Sequence, residues 1–282
     1  RSGHAAGILK IPLTSSALQR VTNNARALQW MRQGGAPGAW AESPPRLLAT
    51  GTTHGCSWTL EECVAGTEAQ TWEEAPAREA IRHIALLLGA FGSQGQPLPA
   101  MRHACLRSYP QRLSAVASLL PTDLAQRLQE LWQQTVRTLE DVVIPKVPQH
   151  GDCKLENVLG DPQRVQSLRL IDWELWTPQG LPLLDLLHLL LSRRRRLHGV
   201  SIGGSICRWL LDGDLVGWER QLLDEQAQGL DRRYVEVLPL LYWLERVGPL
   251  QESAVRPNDN WLRANVHQVA ERLTRNVQEV VA

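Results

Sequence analysis

Residues 149–160 read Gln149-His-Gly-Asp-Cys-Lys-Leu-Glu-Asn-Val-Leu-Gly160, and Leu170-Ile-Asp-Trp-Glu174 follows shortly after. The two stretches set one carboxylate, one amide and a second carboxylate in order. Asp152 can accept the proton of an attacking hydroxyl. Asn157, five residues on, can hold a metal ion from the other side of a tight loop. Asp172 closes a short apolar run, Leu168 to Ile171 interrupted by Arg169, so it is expected at a strand end, aimed toward the same ion. Mg²⁺ takes hard oxygen ligands and must bridge phosphates, so this ordered set is what phosphoryl transfer from a nucleotide requires. Each residue alone is weak evidence, because a surface Asp is more often a turn residue. The ordered set carries the reading.

The spacing resembles the catalytic loop and metal strand of the protein-kinase-like superfamily, and its His-Gly-Asp form resembles the aminoglycoside and choline phosphotransferase branch. The resemblance implies an α+β, bilobal fold with a small strand-rich N-lobe and a larger, mostly helical C-lobe. It makes Asp152 the catalytic base and Asn157 and Asp172 the Mg²⁺ ligands, with His150 as a brace of the loop. Lys154 stands where Ser/Thr protein kinases carry a lysine that contacts the transferred phosphate, so features of two branches meet here. Asp185, in Leu183-Leu-Asp-Leu-Leu187, matches a downstream Asp that supports the loop. Lys10 is the counterpart of the strand lysine that meets the phosphates. The connection Glu61-Glu-Cys-Val-Ala-Gly66 is the counterpart of the hinge, where Glu62 and Val64 would offer backbone groups to an adenine edge. Trp173 and Glu174 are candidate substrate contacts, and Glu174 is also a candidate for a second metal. The implied cofactors are ATP and Mg²⁺. The implied acceptor is a hydroxyl of a small molecule: a sugar, an amino alcohol or an aminoglycoside-like compound. The segment between Asp172 and Asp185 is shorter than a protein-kinase activation segment.

Composition sets the bounds. The 282 residues suffice for one large or two modest domains. The net charge of +1 points to neither nucleic acid nor membrane as a partner. Of 30 basic residues, only three are Lys, at positions 10, 146 and 154. An ammonium is a compact point charge suited to a phosphate oxygen, which gives Lys10 and Lys154 a chemical rationale beside the plain alternative of codon bias. Cysteines 56, 63, 105, 153 and 207 form no Cys-x-x-Cys pair, which suggests reduced thiols and a cytoplasmic setting. Cys153 reads as a small buried filler. The most apolar stretch, Leu181 to Leu191, is too short to span a bilayer and contains Pro182, Asp185 and His188.

Along the chain, Gly7-Ile-Leu-Lys-Ile-Pro-Leu13 reads as a strand, and Ser15 or Ser16 as the cap of a helix to about Arg32. Arg46 to Thr50 and Cys56 to Cys63 read as an antiparallel pair. From Glu73 the pattern turns helical: 73–90, 101–117, 122–138, 182–194, 207–211, 219–228, 232–247 and 260–281. Residues 92–99 read as a loop. The expected division is a nucleotide lobe with hinge over 1–66 and a helical lobe over 67–282. The Arg193 to Arg196 run reads as the solvated end of a helix, where cations suit the dipole. Among eleven Trp residues, Trp173 and Trp176 flank the metal strand and could stack on a sugar or a cation; core packing is the reading for most others.

Two departures stand out. Only nine residues precede Lys10, so roughly 30 residues of a small lobe, including a Gly-rich hairpin, are expected upstream in a longer polypeptide. Between Lys10 and Glu42 there is no Asp or Glu, and Asn23 or Asn24 occupies the place of the helix glutamate that the resemblance pairs with the lysine. An amide can hydrogen-bond an ammonium without neutralising it. These departures favour a rival reading, a non-catalytic kinase-like binding module; the intact Asp152, Asn157 and Asp172 oppose it.

Overall fold

The structure, a computed structural model, describes residues 7–35, 38, 42–54, 56–94, 97–249 and 257–281. The chain opens with β1 (Gly7–Lys10), α1 (Ser15–Trp30), β2 (Leu47–Thr53) and β3 (Cys56–Glu62). β3 lies between β1 and β2 in one antiparallel sheet. β1 stops at Lys10, earlier than expected, two residues before Pro12, which cannot donate to a ladder. The helix is capped by Thr14 rather than by Ser15 or Ser16: Thr14 is extended and its hydroxyl accepts from the Ala17 N–H, an interaction that contributes about 1 kcal/mol. α1 buries Val21, Asn24, Ala27 and Leu28 on one face, and burying Leu28 alone contributes about 1.5–3 kcal/mol.

The expected hinge begins later than its sequence suggests. Glu61 and Glu62 are the last residues of β3, and only residues 63–66 form the connection. Alternation within the strand places Thr59 and Glu61 on its buried face. Gly66, at φ 126°, lets the chain pass the backbone of Gly160, which a Cβ would approach to 2.6 Å.

β4 (Thr67–Glu68) and α2 (Glu74–Gln94) follow, then β5 (Pro97–Pro99), α3 (Tyr109–Ala117), α4 (Thr122–Thr138), β6 (Val143–Pro145), β7 (Val147–Gln149), β8 (Val158–Gly160), β9 (Arg169–Leu170) and β10 (Thr177–Gly180). The remainder is helical: α5 (Leu184–His198), α6 (Ile202–Ser205), α7 (Gly217–Ala227), α8 (Arg232–Val247), α9 (Asp259–Leu262) and α10 (Gln268–Val281). Part of the expected loop 92–99 is strand, because β5 pairs with β6. The expected helix from Met101 is two short 3₁₀ turns and then α3; Pro110 fits only a first turn. Residues 207–211 fall in a π turn that continues α6.

The chain divides into two compact units. The first joins residues 1–95 to 147–180. In it, β8 is the centre of a three-stranded sheet with β4 and β9, and β7 pairs with β10. The second unit joins residues 96–146 to 181–282. Its core packs Trp209, Tyr234, Tyr242 and Trp243, all essentially inaccessible, against α3, α4 and α5. α4 turns Leu124, Leu128, Trp132 and Thr135 inward, a helical spacing of apolar positions. Arg194 corrects the reading of the 193–196 run as solvated: it is buried and binds Glu219, itself buried, through two nitrogens. Among the described residues, no helix is long and apolar enough to cross a membrane.

Candidate active site

The loop after β7 is shaped by one glycine and one histidine. Gly151 has φ 84°, and a Cβ there would lie 2.5 Å from the Leu175 carbonyl oxygen. His150 is buried. Its Nδ1 accepts from the Asp152 N–H at 3.2 Å, and its Nε2 donates to the Ile171 carbonyl at 2.9 Å. These two partners select the Nε2–H tautomer. One imidazole thus ties the start of the loop to the residue before Asp172.

Beyond it the chain makes a 3₁₀ turn, Leu155–Asn157, over buried Cys153 and Leu155. Asn157 Nδ2 donates to the Asp152 carbonyl at 2.9 Å and to its carboxylate Oδ2 at 3.2 Å. That orientation leaves Asn157 Oδ1 as the atom able to meet a cation. Lys154 Nζ lies 2.7 Å from the same Asp152 Oδ2. Asp172 ends the β9 segment in the left-handed region, φ 66°, a conformation Asp tolerates better than most residues. The Ile171 N–H donates to the Asn157 carbonyl, so the two hard-oxygen donors are held by adjoining backbone.

Lys10 reaches the same place from β1. Its ammonium is 3.0 Å from Glu61, 3.3 Å from Asp172 and 4.0 Å from Glu174. Burial works against its charge, but Glu61 first and then Asp172 and Glu174 outweigh burial and raise its pKa. Glu174 is raised above the usual carboxylate value by burial and by Asp172, against the pull of Lys10 and Arg20. The carboxylate nearest Lys10 thus comes from β3 and not from α1. Asn24, on α1, donates to Glu61 Oε2 at 3.1 Å and accepts the Trp173 N–H at 3.0 Å. Asn23 donates to the carbonyls of Glu174 and Trp176.

A cavity of about 430 Å³ gathers these groups. Lys10, Glu61, Glu62, Val64, Lys154, Asn157 and Asp172 line it together with apolar Ile8, Leu159 and Ile171. Asp152 adjoins through Lys154 and Asn157, and Glu174 through Lys10. The Glu62 side chain is occupied by Arg46 and Arg169 and its N–H donates to the Arg46 carbonyl, so a hinge role would fall to its carbonyl. Trp173, expected as a substrate contact, is corrected: it is 1% exposed, with its ring N–H on the Leu170 carbonyl, and belongs to the core. Trp176 is only partly buried and leans on Trp30. Asp185 lies in the first turn of α5, in the second unit, and is buried.

For Mg²⁺ the donor set fits. Asn157 and Asp172 offer two hard oxygens, and this ion ordinarily completes its shell with phosphate oxygens and waters. Among the described residues, no three His, Cys, Asp or Glu side chains form a metal cage of their own.

Sequence reasoning missed Glu61 as the partner of Lys10 and Arg169 as the tie on the hinge strand. The first was within reach: buried residues alternate along β3, and Lys10 stands opposite Thr59, two residues from Glu61. Nothing marked Arg169.

The model of the phosphotransferase enzyme family matches residues 2–221. No curated protein matches the chain by sequence. Among solved structures, a variant of aminoglycoside 2'-phosphotransferase IIIa in complex with GDP is 15% identical, with a TM-score of 0.59, over 96% of this chain and 86% of that one. A thermostable variant of aminoglycoside phosphotransferase APH(4)-Ia, in a ternary complex with ADP and hygromycin B, is 15% identical, with a TM-score of 0.51 over the same shares. Another variant of that enzyme, with AMP-PNP and hygromycin B, is 16% identical, with a TM-score of 0.51 and the same coverage. At these identities the likeness shows the fold, a kinase-like arrangement of helices and small antiparallel sheets.

Proposed function

The chain belongs to the phosphotransferase enzyme family, and on that premise we propose that it moves the γ-phosphate of ATP to a hydroxyl of a small molecule. The observation that carries the reading is the convergence of Lys10, Lys154, Asn157 and Asp172 on one cavity, with Asp152 bound to Lys154 and Asn157 at its edge.

Asp152 is the base in this reading. Asn157 holds its carboxylate in one orientation, and the hydroxyl of the acceptor would be aimed from it along the line of transfer. Lys154, already on Asp152, is placed to exchange that partner for a phosphate oxygen as charge develops. Asn157 and Asp172 would hold Mg²⁺, which when bound neutralises the phosphates and orients them. Lys10 adds a second cation. The carbonyl of Glu62 and the backbone at Val64 would meet the base of the nucleotide, with Ile8, Leu159 and Ile171 as apolar walls. The three similar structures named above hold ADP, GDP and AMP-PNP, which supports a nucleotide here.

The acceptor class is a sugar, an amino alcohol or an aminoglycoside-like compound. Hygromycin B in the ternary complexes supports the last of these. The rival reading of a non-catalytic module loses one of its two grounds, because Lys10 has its acid in Glu61. ADP release with Mg·ATP across a panel of aminoglycosides, sugars and amino alcohols tests the proposal. An acceptor should raise ADP release, and Asp152→Asn should cut that rate about 10²–10⁴-fold while Mg·ATP still binds. Binding without acceptor-stimulated release from any member would favour the module.

A further inference from the structure

We propose that Glu61 is the residue that positions Lys10 for the phosphates, and that Asn24 holds Glu61 to that task. The inference rests on the phosphotransferase reading and deepens it. The ion pair expected between a strand and the helix after it is here built between two strands of one sheet.

Register explains how. β1 and β3 are antiparallel, with Lys10 opposite Thr59 and Ile8 opposite Glu61. Lys10, Thr59 and Glu61 thus share one face, and Glu61 is the diagonal neighbour of Lys10, within reach of a long side chain. Glu61 is buried and uses both oxygens: Oε1 meets Lys10 at 3.0 Å and Oε2 accepts from Asn24 at 3.1 Å. Asp172, the second partner of Lys10, is far more exposed and would turn to Mg²⁺ when the nucleotide arrives. Glu61 lies outside the metal set, so it is the partner Lys10 keeps.

The amide on α1 also has a chemical reason. Asn24 must donate to a carboxylate on one side and accept the Trp173 N–H on the other. An amide does both at neutral pH; an acid there would face Glu61 with like charge. Asn24 is also fully buried, so its orientation is held. Through it, the acid of the sheet is tied to the backbone just after Asp172. Strand pairing sets Lys10 and Glu61 side by side, and Asn24 on α1 fixes the acid in place.

The test is calorimetric titration of the full chain with Mg·ATP and, separately, with adenosine, which lacks the phosphates. Glu61→Gln should weaken Mg·ATP about 10-fold or more, the scale seen when a supporting partner of a binding group is lost, and leave adenosine affinity unchanged. Asn24→Ala should give a smaller loss of the same kind, and it carries the test if Glu61→Gln does not fold. Wild-type affinity for Mg·ATP in these variants, or equal weakening of both ligands, would overturn the inference. A wild-type chain that binds neither ligand would overturn the phosphotransferase reading itself, and that result is recognisable before any substitution is made.

Discussion

Lys10 faces three carboxylates, Glu61, Asp172 and Glu174, with the most buried of them nearest. Leaving a buried carboxylate without its cation is costly, so Glu61 and Lys10 depend on each other more than an exposed pair would. The same scale governs Gly151. Its φ of 84°, and the 2.5 Å that would separate a Cβ from the Leu175 carbonyl oxygen, leave no room for a side chain. Gly151→Ala should cost about 1–3 kcal/mol, the range for a residue forced into a sparsely populated conformation. Urea unfolding measures it, and an unchanged midpoint would show that the loop has another conformation available. That Asp152, Asn157 and Asp172 gather at one place was legible, because they are close in sequence and chemically ordered. Glu61 was missed, because the acid stands on the strand beside Lys10 rather than on the helix that follows it.

Elements were readable where their periodicity was long. α1, α4, α7 and α8 lie within a few residues of their expected bounds. The strands β4 and β9, of two residues each, carry no pattern to read, yet they flank β8, and just past β9 the Ile171 N–H on the Asn157 carbonyl keeps Asn157 beside Asp172. The tie between β3 and β9 is also invisible in sequence: Arg169 donates to the carbonyls of Ser43 and Pro44 and to Glu62. It gives a pH prediction. Burial pushes the Glu62 carboxyl up, but the Arg46 backbone N–H and Arg169 outweigh it, and its pKa lies below the usual value. Ionised Glu62 therefore stabilises the fold above the ordinary carboxylate value, and that contribution is lost as pH falls through its lower folded value. Over that window the wild type should lose more stability on acidification than Glu62→Gln. Parallel curves of unfolding free energy against pH would contradict the tie.

At the scale of the molecule, the order of strands first and helices second was apparent, and the kinase-like fold followed from the motif. The assignment of residues 147–180 to the same unit as residues 1–95 could not be read, because contacts between distant segments leave no local signature. The consequence is that the whole candidate nucleotide cavity belongs to one unit. Among the described residues, five acidic ones line it, Glu61, Glu62, Glu68, Glu156 and Asp172, against two lysines. A polyphosphate meeting that balance needs a divalent cation to bind. The most direct test is thermal unfolding of the wild type and of Asp172→Ala with ATP, with and without Mg²⁺. Stabilisation by Mg·ATP that is lost without the metal and in the variant is the predicted result. A melting temperature that neither nucleotide nor metal moves in the wild type would contradict the account.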